Sequence, residues 1–436
     1  MMAFPHLFHL VNIFVMAVVA WLVPLLMVPV FIWMERKGSA SIQDRLGPNR
    51  AAILGFRFFG MLHNIADTVK LLLKENILPS RANRLAFFAG PAISMSVALV
   101  PLFVVPFASP LPWGDETVWF QVAGYDVGLL ILLAVSGLGV FGLLLGGWGS
   151  NNKFSLMGGL RSSSQFLSYE LTTALAVVGI LMTYGDANLS HIVEAQGRLF
   201  VWFGHTLPIP QWGLFLQPIG FLLFLVGAFA ETNRTPFDLP EGDSELVGGY
   251  HTEYSGMKFA LFFMAEYSHM MVASIVLSTL FLGGYQVPFA STEVLRSHPR
   301  EILYALTGGM AVAGLALGAL FFAMGRHKGY EKGFARYEMY VYAFSMLALA
   351  VLSLASFWFL PGLHPPVWLP GPLAALTQFA CLMAKAMFFC WLFVWVRWTL
   401  PRFRFDQLTG LGWRILLPLG LANVALTAAW VVWGKS

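Results

Sequence analysis

Charge is what this chain has least of. Only 11% of its 436 residues are Asp, Glu, Lys or Arg, against about 25% in a soluble globular domain. With 58% of residues hydrophobic, that scarcity excludes a soluble fold and makes the lipid bilayer the main partner. Cysteine is scarcer still. Cys381 and Cys390 share one apolar stretch, cannot bridge each other along a single helix, and match no metal-ligand spacing. Nucleotide and metal motifs are missing as well: no GxGxxG follows a strand, and there is no Walker A, CxxC pair or HExxH. The chain therefore offers no metal or flavin site of its own, and any redox centre has to sit on a partner. The net charge of +4 is small and arises from loop asymmetry, which leaves no nucleic-acid signal. No internal repeat or low-complexity tract stands out. No small-residue cleavage site follows the first apolar core, so that segment reads as a retained helix.

What is present is a series of apolar runs long enough to span a bilayer, each needing about 20 residues. Ten candidates lie near 10–34, 85–107, 127–148, 167–185, 212–230, 258–284, 303–325, 339–360, 375–398 and 413–433. Fold class follows: an all-α, polytopic membrane bundle, read as one integral domain over 1–436. Pro24, Pro29, Pro101 and Pro106 predict kinks. Of the 26 Lys and Arg residues, 21 fall in the loops after odd-numbered spans or at the adjoining helix ends. By the positive-inside rule both termini face outward, and the loops 35–84, 149–166, 231–257, 326–338 and 399–412 face the cytoplasm. Within the first of these, Phe59 to Glu75 has helical periodicity, with Leu62, Ile65, Val69 and Leu72 on one face and Asp67, Lys70 and Lys74 off it. It reads as an amphipathic helix along the membrane surface, or as a cap on the bundle.

Acid is concentrated in one place. Seven of the 22 carboxylates lie between Glu231 and Glu266: Glu231, Asp238, Glu241, Asp243, Glu245, Glu253 and Glu266. Glu266 lies inside a span, where an ionised carboxylate is costly unless it is paired, hydrated or protonated, so a proton relay is expected. His269 falls on the same helical face, where an interhelical hydrogen bond is the plainer alternative. Glu170 opens a span. Lys385 lies deep within one and is expected to pair with a buried carboxylate or line a hydrated cavity. Glu231 ends a helix against the macrodipole, so a cationic partner is expected, with Arg234 in reach. Glu35-Arg36-Lys37 reads first as a stop-transfer charge cluster.

Several strings taken in order carry a resemblance. They are Glu35-Arg36-Lys37, Gln43 to Arg50 (QDRLGPNR), Ile65 to Glu75 (IADTVKLLLKE), Gly147 to Lys153 (GWGSNNK) and Ser168-Tyr169-Glu170. Glu231 to Asp238 (ETNRTPFD), Glu253 to Lys258 (EYSGMK) and Leu400 to Gln407 (LPRFRFDQ) complete the set. Over about 10–285 and 375–433 the chain resembles the H-subunit family of the proton-pumping NADH:quinone oxidoreductase, respiratory complex I. The resemblance implies a bacterial inner-membrane subunit that joins peripheral-arm quinone-module subunits to small membrane subunits. Quinone would be its substrate, reduced through an iron–sulfur cluster in a neighbouring subunit. It places Glu35, Arg36 and Asp67 near a quinone chamber, and Arg234, Asp238, Glu241, Asp243, Glu245 and Glu253 in an acidic loop beside it. Glu170, Glu231, Glu266 and Lys385 would form the proton relay. Two departures stand out. His63-Asn64 occupies a place where the family commonly has glutamine, in a run that looks several residues longer. Residues 287–374 look like a two-helix insertion around a basic loop, added to an eight-span core. Rival expectations are the equivalent subunit of a membrane-bound hydrogenase or of a ferredoxin- or deazaflavin-linked oxidoreductase, and, from a different class, a stand-alone ion transporter. No paired interrupted helices favour the last.

Overall fold

A computed structural model describes residues 5–202, 205–240, 246–326, 334–359, 366 and 368–434. Among the described residues nine helices are long and apolar enough to cross a membrane. They account for nine of the ten expected spans. The long elements are α1 (Pro5–Ile42), α3 (Arg84–Leu99), the α4–α5 pair (Gly128–Gly137 and Gly139–Gly149) and α6 (Lys153–Tyr184). Later in the chain come α10 (Gly256–Phe281), α12 (Pro299–Arg326), α13 (Phe334–Phe359), α14 (Pro370–Thr399), and α15 (Phe405–Gly410) continuing through a π turn into α16 (Leu417–Gly434). Two short hairpins, β1–β2 (Leu111–Trp113, Glu116–Val118) and β3–β4 (Leu199–Trp202, His205–Pro210), are the only sheets among the described residues.

The tenth span, expected over 212–230, takes a different form. A single turn, α8 (Gly213–Leu216), is followed by a break at Gln217 and by α9 (Pro218–Glu231), an apolar helix of 14 residues. Gln217 donates to Thr427 and accepts from Asn423, so the broken backbone is held by side chains of the C-terminal helix. Irregular backbone at membrane depth survives only where protein buries it. Pro24 and Pro29 lie inside α1, and Pro101 sits where α3 tightens into a 3-10 turn.

Small residues set the closest helix approach. A Cβ on Gly90 of α3 would stand 2.9 Å from the Gly146 backbone of α5, the small-against-small contact that lets membrane helices pack without a hydrophobic drive. The core centres on α10, whose C-terminal half is almost wholly buried and which packs against α1, α3, α9 and α14. Helices α12 and α13 pair chiefly with each other at the periphery, where most of their surface stays exposed.

The amphipathic segment forms α2 (Leu62–Leu73). Most of its apolar stripe points away from the protein: Ile65, Val69 and Leu72 are exposed, while Leu62 is buried and Asn64 and Asp67 turn inward. An unpartnered apolar stripe suits a helix lying in the membrane surface.

Candidate functional site

A cavity of about 570 Å³ lies between α1, α2 and the start of α10. Leu25, Val28, Ile32, Phe259 and Phe263 supply apolar walls, and Arg36, Asn64 and Asp67 bring polar groups. Arg36 Nη1 contacts Asp67 Oδ2 at 2.6 Å, with both side chains partly solvated. Asn64 donates to the Pro29 carbonyl at 2.6 Å and ties α2 to α1. The volume falls within the range of about 300–1,000 Å³ usual for small-molecule pockets. His63 is anchored too, its Nε2 accepting from the Arg50 and Ala51 amides. The unusual His63-Asn64 pair thus fastens α2 at both sides.

Glu35 is absent from that cavity's lining and turns instead into the bundle. One of its oxygens accepts from Arg234 (3.0 Å) and Tyr267 (2.8 Å), and the other pairs with Arg397 at 2.8 Å. Arg234 stacks its guanidinium on the Tyr267 ring, 3.9 Å from the centroid. Burial opposes the Arg234 charge, but Tyr267, Glu35 and Glu266 outweigh it and hold its pKa above the ordinary value. Arg397 is invisible as a partner in sequence, because a basic residue ending a span normally marks only topology.

The acidic segment is irregular backbone after Glu231, as expected of a loop, but it does not lie at the surface. Residues 231–240 are all buried. Gln165 clamps them, donating to the Ala230 and Phe237 carbonyls at 2.8 Å each. Gln165 itself lies in α6, which begins at Lys153 and absorbs what reads in sequence as a loop. Asp238 pairs with Arg402 at 2.7 Å. Burial raises its pKa to about 6, despite Arg402, with Glu266 adding to the rise. Glu253 accepts from Asn152 at 2.6 Å. Glu241, Asp243 and Glu245 lie outside the described residues.

The remaining carboxylates gather deeper. Tyr250 donates to Glu266 at 2.7 Å. Glu266, His269, Glu231, Asn233 and Tyr250 border one small cavity of about 40 Å³. Glu231 and His269 also border a second, of about 30 Å³, together with Thr173 and Ser136. Each has room for ordered water between polar groups. Glu231 does not pair with Arg234 as expected; its carboxyl contacts the Thr173 hydroxyl and lies in electrostatic range of Glu170. The Arg234 side chain is committed to Glu35, on the other side of the segment. Sequence reasoning misses Tyr250, Tyr267 and Gln165, since neutral polar residues carry no charge anomaly to betray them.

Lys385 is also corrected. Among the described residues no carboxylate meets its ammonium; it donates to the carbonyls of Leu282, Gly284 and Gln286 at 2.7–2.8 Å. Three carbonyls use all three ammonium donors. The residue caps the end of α10, roughly 18 Å along α14 from Arg397 at about 1.5 Å per residue. Among the described residues no cluster of His, Cys, Asp and Glu could hold a metal ion.

The chain matches the family model described as NADH dehydrogenase over residues 14–328 and 329–428. It is 41% identical to the H subunit of NADH-quinone oxidoreductase from Bdellovibrio bacteriovorus, across 96% of this chain and 94% of that protein. It is 42% identical to subunit 8 of the same enzyme from Rhodothermus marinus, across 93% and 92% of the two chains. An H subunit from Flavobacterium johnsoniae is 36% identical, across 95% and 93%. With these matches and a bundle of membrane-spanning helices, the chain belongs to the H-subunit family, the multi-pass membrane subunits of the enzyme NADH-quinone oxidoreductase.

Proposed function

We propose that the chain forms much of the quinone chamber of its complex and couples quinone reduction to proton translocation. The cavity between α1, α2 and α10 carries this reading. Its volume, apolar walls and Arg36–Asp67 pair suit an isoprenoid quinone with a polar head group. Electrons reach it from an iron–sulfur cluster in a neighbouring peripheral-arm subunit. Reduction takes up two protons and alters local charge. Asp238, Glu253 and the acidic residues Glu241, Asp243 and Glu245 lie along the segment that meets this change, while Glu35 and Arg234 hold it in place.

From there the relay runs through Glu266, Glu231 and Glu170, bridged by Tyr250, His269 and water in the two small cavities. Charges about 4 Å apart interact by roughly 4 kcal/mol at an effective dielectric of about 20. Energy of that order resets the protonation of a coupled set. Lys385 does not join the relay on this reading, because its donors are spent on backbone. Residues 287–374 form a two-helix insertion beside the eight-span core. The chain sits in the bacterial inner membrane with both termini periplasmic, its basic face turned to the peripheral arm.

Glu266→Gln tests the relay. Gln keeps the shape and the acceptor that Tyr250 bonds but cannot ionise. The assembled complex should retain quinone reduction and lose most protons pumped per electron. Unchanged pumping in proteoliposomes refutes the relay.

A further inference from the structure

The α12–α13 hairpin meets the turn before α2 at a chemically specific place. Glu338, on the first turns of α13, is only 1% exposed although the hairpin around it is largely uncovered. Its Oε1 accepts from the backbone amides of Arg57 (2.9 Å) and Phe58 (2.8 Å), and from the Tyr342 hydroxyl one turn further along. The segment it grips is strained. Phe58, Phe59 and Gly60 take three successive positive φ angles, 45°, 55° and 88°. Two of these residues carry a Cβ, which disfavours that region, so the conformation persists only where its surroundings over-determine it. A carboxylate bound by successive backbone amides is the anion-nest arrangement, here closed within one chain.

Other contacts fix the same three residues. The Phe59 ring stacks on Tyr342 of α13, with centroids 4.6 Å apart, and lies 5.1 Å from Phe321 of α12. On the other side, Trp33 of α1 donates its indole N–H to the Phe59 carbonyl at 2.9 Å. At Gly60 a Cβ would collide with the Pro48 carbonyl, so no other residue fits the turn. Helix α2 begins two residues later at Leu62, and its Asn64 and Asp67 line the large cavity.

We propose that the α12–α13 hairpin is a buttress, and that Glu338 is a positioning residue setting the start of α2 and thereby the shape of the quinone cavity. This rests on the reading of that cavity as the quinone site. The acceptor, not the negative charge alone, is what the two amides require. Loss of Glu338 frees two amides and releases the strained turn, which lets α2 shift against α1 without removing any cavity-lining side chain.

The test uses the intact membrane complex carrying Glu338→Ala, Glu338→Gln or Tyr342→Phe. Amide hydrogen exchange over 51–61 and steady-state quinone kinetics are read together. Wild-type complex is also photolabelled with an azidoquinone. Glu338→Ala should speed exchange at Arg57 and Phe58 and raise KM for quinone several-fold with kcat nearly unchanged. Glu338→Gln, which keeps an acceptor oxygen, should restore most of both. Tyr342→Phe, which keeps the ring stack, should fall between. Unchanged exchange in Glu338→Ala overturns the buttress. Faster exchange with unchanged KM, where the azidoquinone labels α1, α2 or α10 in wild type, overturns the positioning role alone. No label on those helices overturns the quinone reading, and the positioning role with it.

Discussion

Glu35 sits between two arginines and a tyrosine in a nearly dry environment. Removing one partner of such a set leaves uncompensated buried charge, which costs about 3–5 kcal/mol. Glu35→Ala should therefore lower the melting temperature of the purified complex or abolish its assembly, whereas Glu35→Gln should do so less. Equal, small effects of both would mean that the cluster is better solvated than its burial implies. Asp238 gives a pH signature. Its pKa is raised to about 6 by burial, with Glu266 adding and Arg402 opposing. A raised acid binds its proton more tightly in the folded chain than in the unfolded one. Its contribution to stability is full below the ordinary carboxylate range, is lost as pH rises to about 6, and is flat above that. An isotope-labelled aspartate infrared band should vanish through about pH 6 and be missing in Asp238→Asn. Glu35 is legible in sequence as a charge of interest. Its destination is not, because a Glu-Arg-Lys run after a span says nothing about which side chain turns inward.

At the level of elements, the pattern of apolar residues finds α2 by its periodicity and nine of the spans by run length, since both are local properties. It fails at α9, where Gln217 breaks the helix for reasons that lie in Asn423 and Thr427, some two hundred residues away. It is silent on burial at 231–240: the segment reads as a loop and is one, yet Gln165 donates to the Ala230 and Phe237 carbonyls and helps hold it inside. Gln165→Leu should strip the donor from the Phe237 carbonyl, at about 1–3 kcal/mol, and leave the Ala230 carbonyl with the Asn233 amide at 3.3 Å. Limited proteolysis should then cut within 231–240, a segment resistant in the unaltered chain. Continued resistance would show that other contacts suffice to hold it. On α2, Val69→Asp puts a charge on the exposed apolar stripe and, if that stripe rests in the bilayer surface, should weaken its seating. A nitroxide at Leu72 should become more accessible to water-soluble relaxants.

For the whole molecule, cation asymmetry predicts orientation without any knowledge of packing. Single cysteines placed at 186 and at 403, in a chain freed of Cys381 and Cys390, provide the check. An impermeant thiol reagent added outside intact cells should label the first and spare the second; the reverse pattern inverts the topology. The two features read from sequence as additions, the longer run before α2 and the segment 287–374, meet at Glu338. No local pattern in either could disclose that contact, because its donors are backbone amides.

The inner ion cluster also has a history in time. Its members come from the first membrane helix, from the segment after α9, and from the last turns of α14. During synthesis Glu35 enters the bilayer first, Arg234 follows midway, and Arg397 emerges only when little of the chain remains. Until then Glu35 is balanced by Arg234 alone, one of its oxygens lacks a partner, and α14 has yet to pack against α10. Completion of the cluster is thus a late step of folding, since its third member arrives only with the last turns of α14.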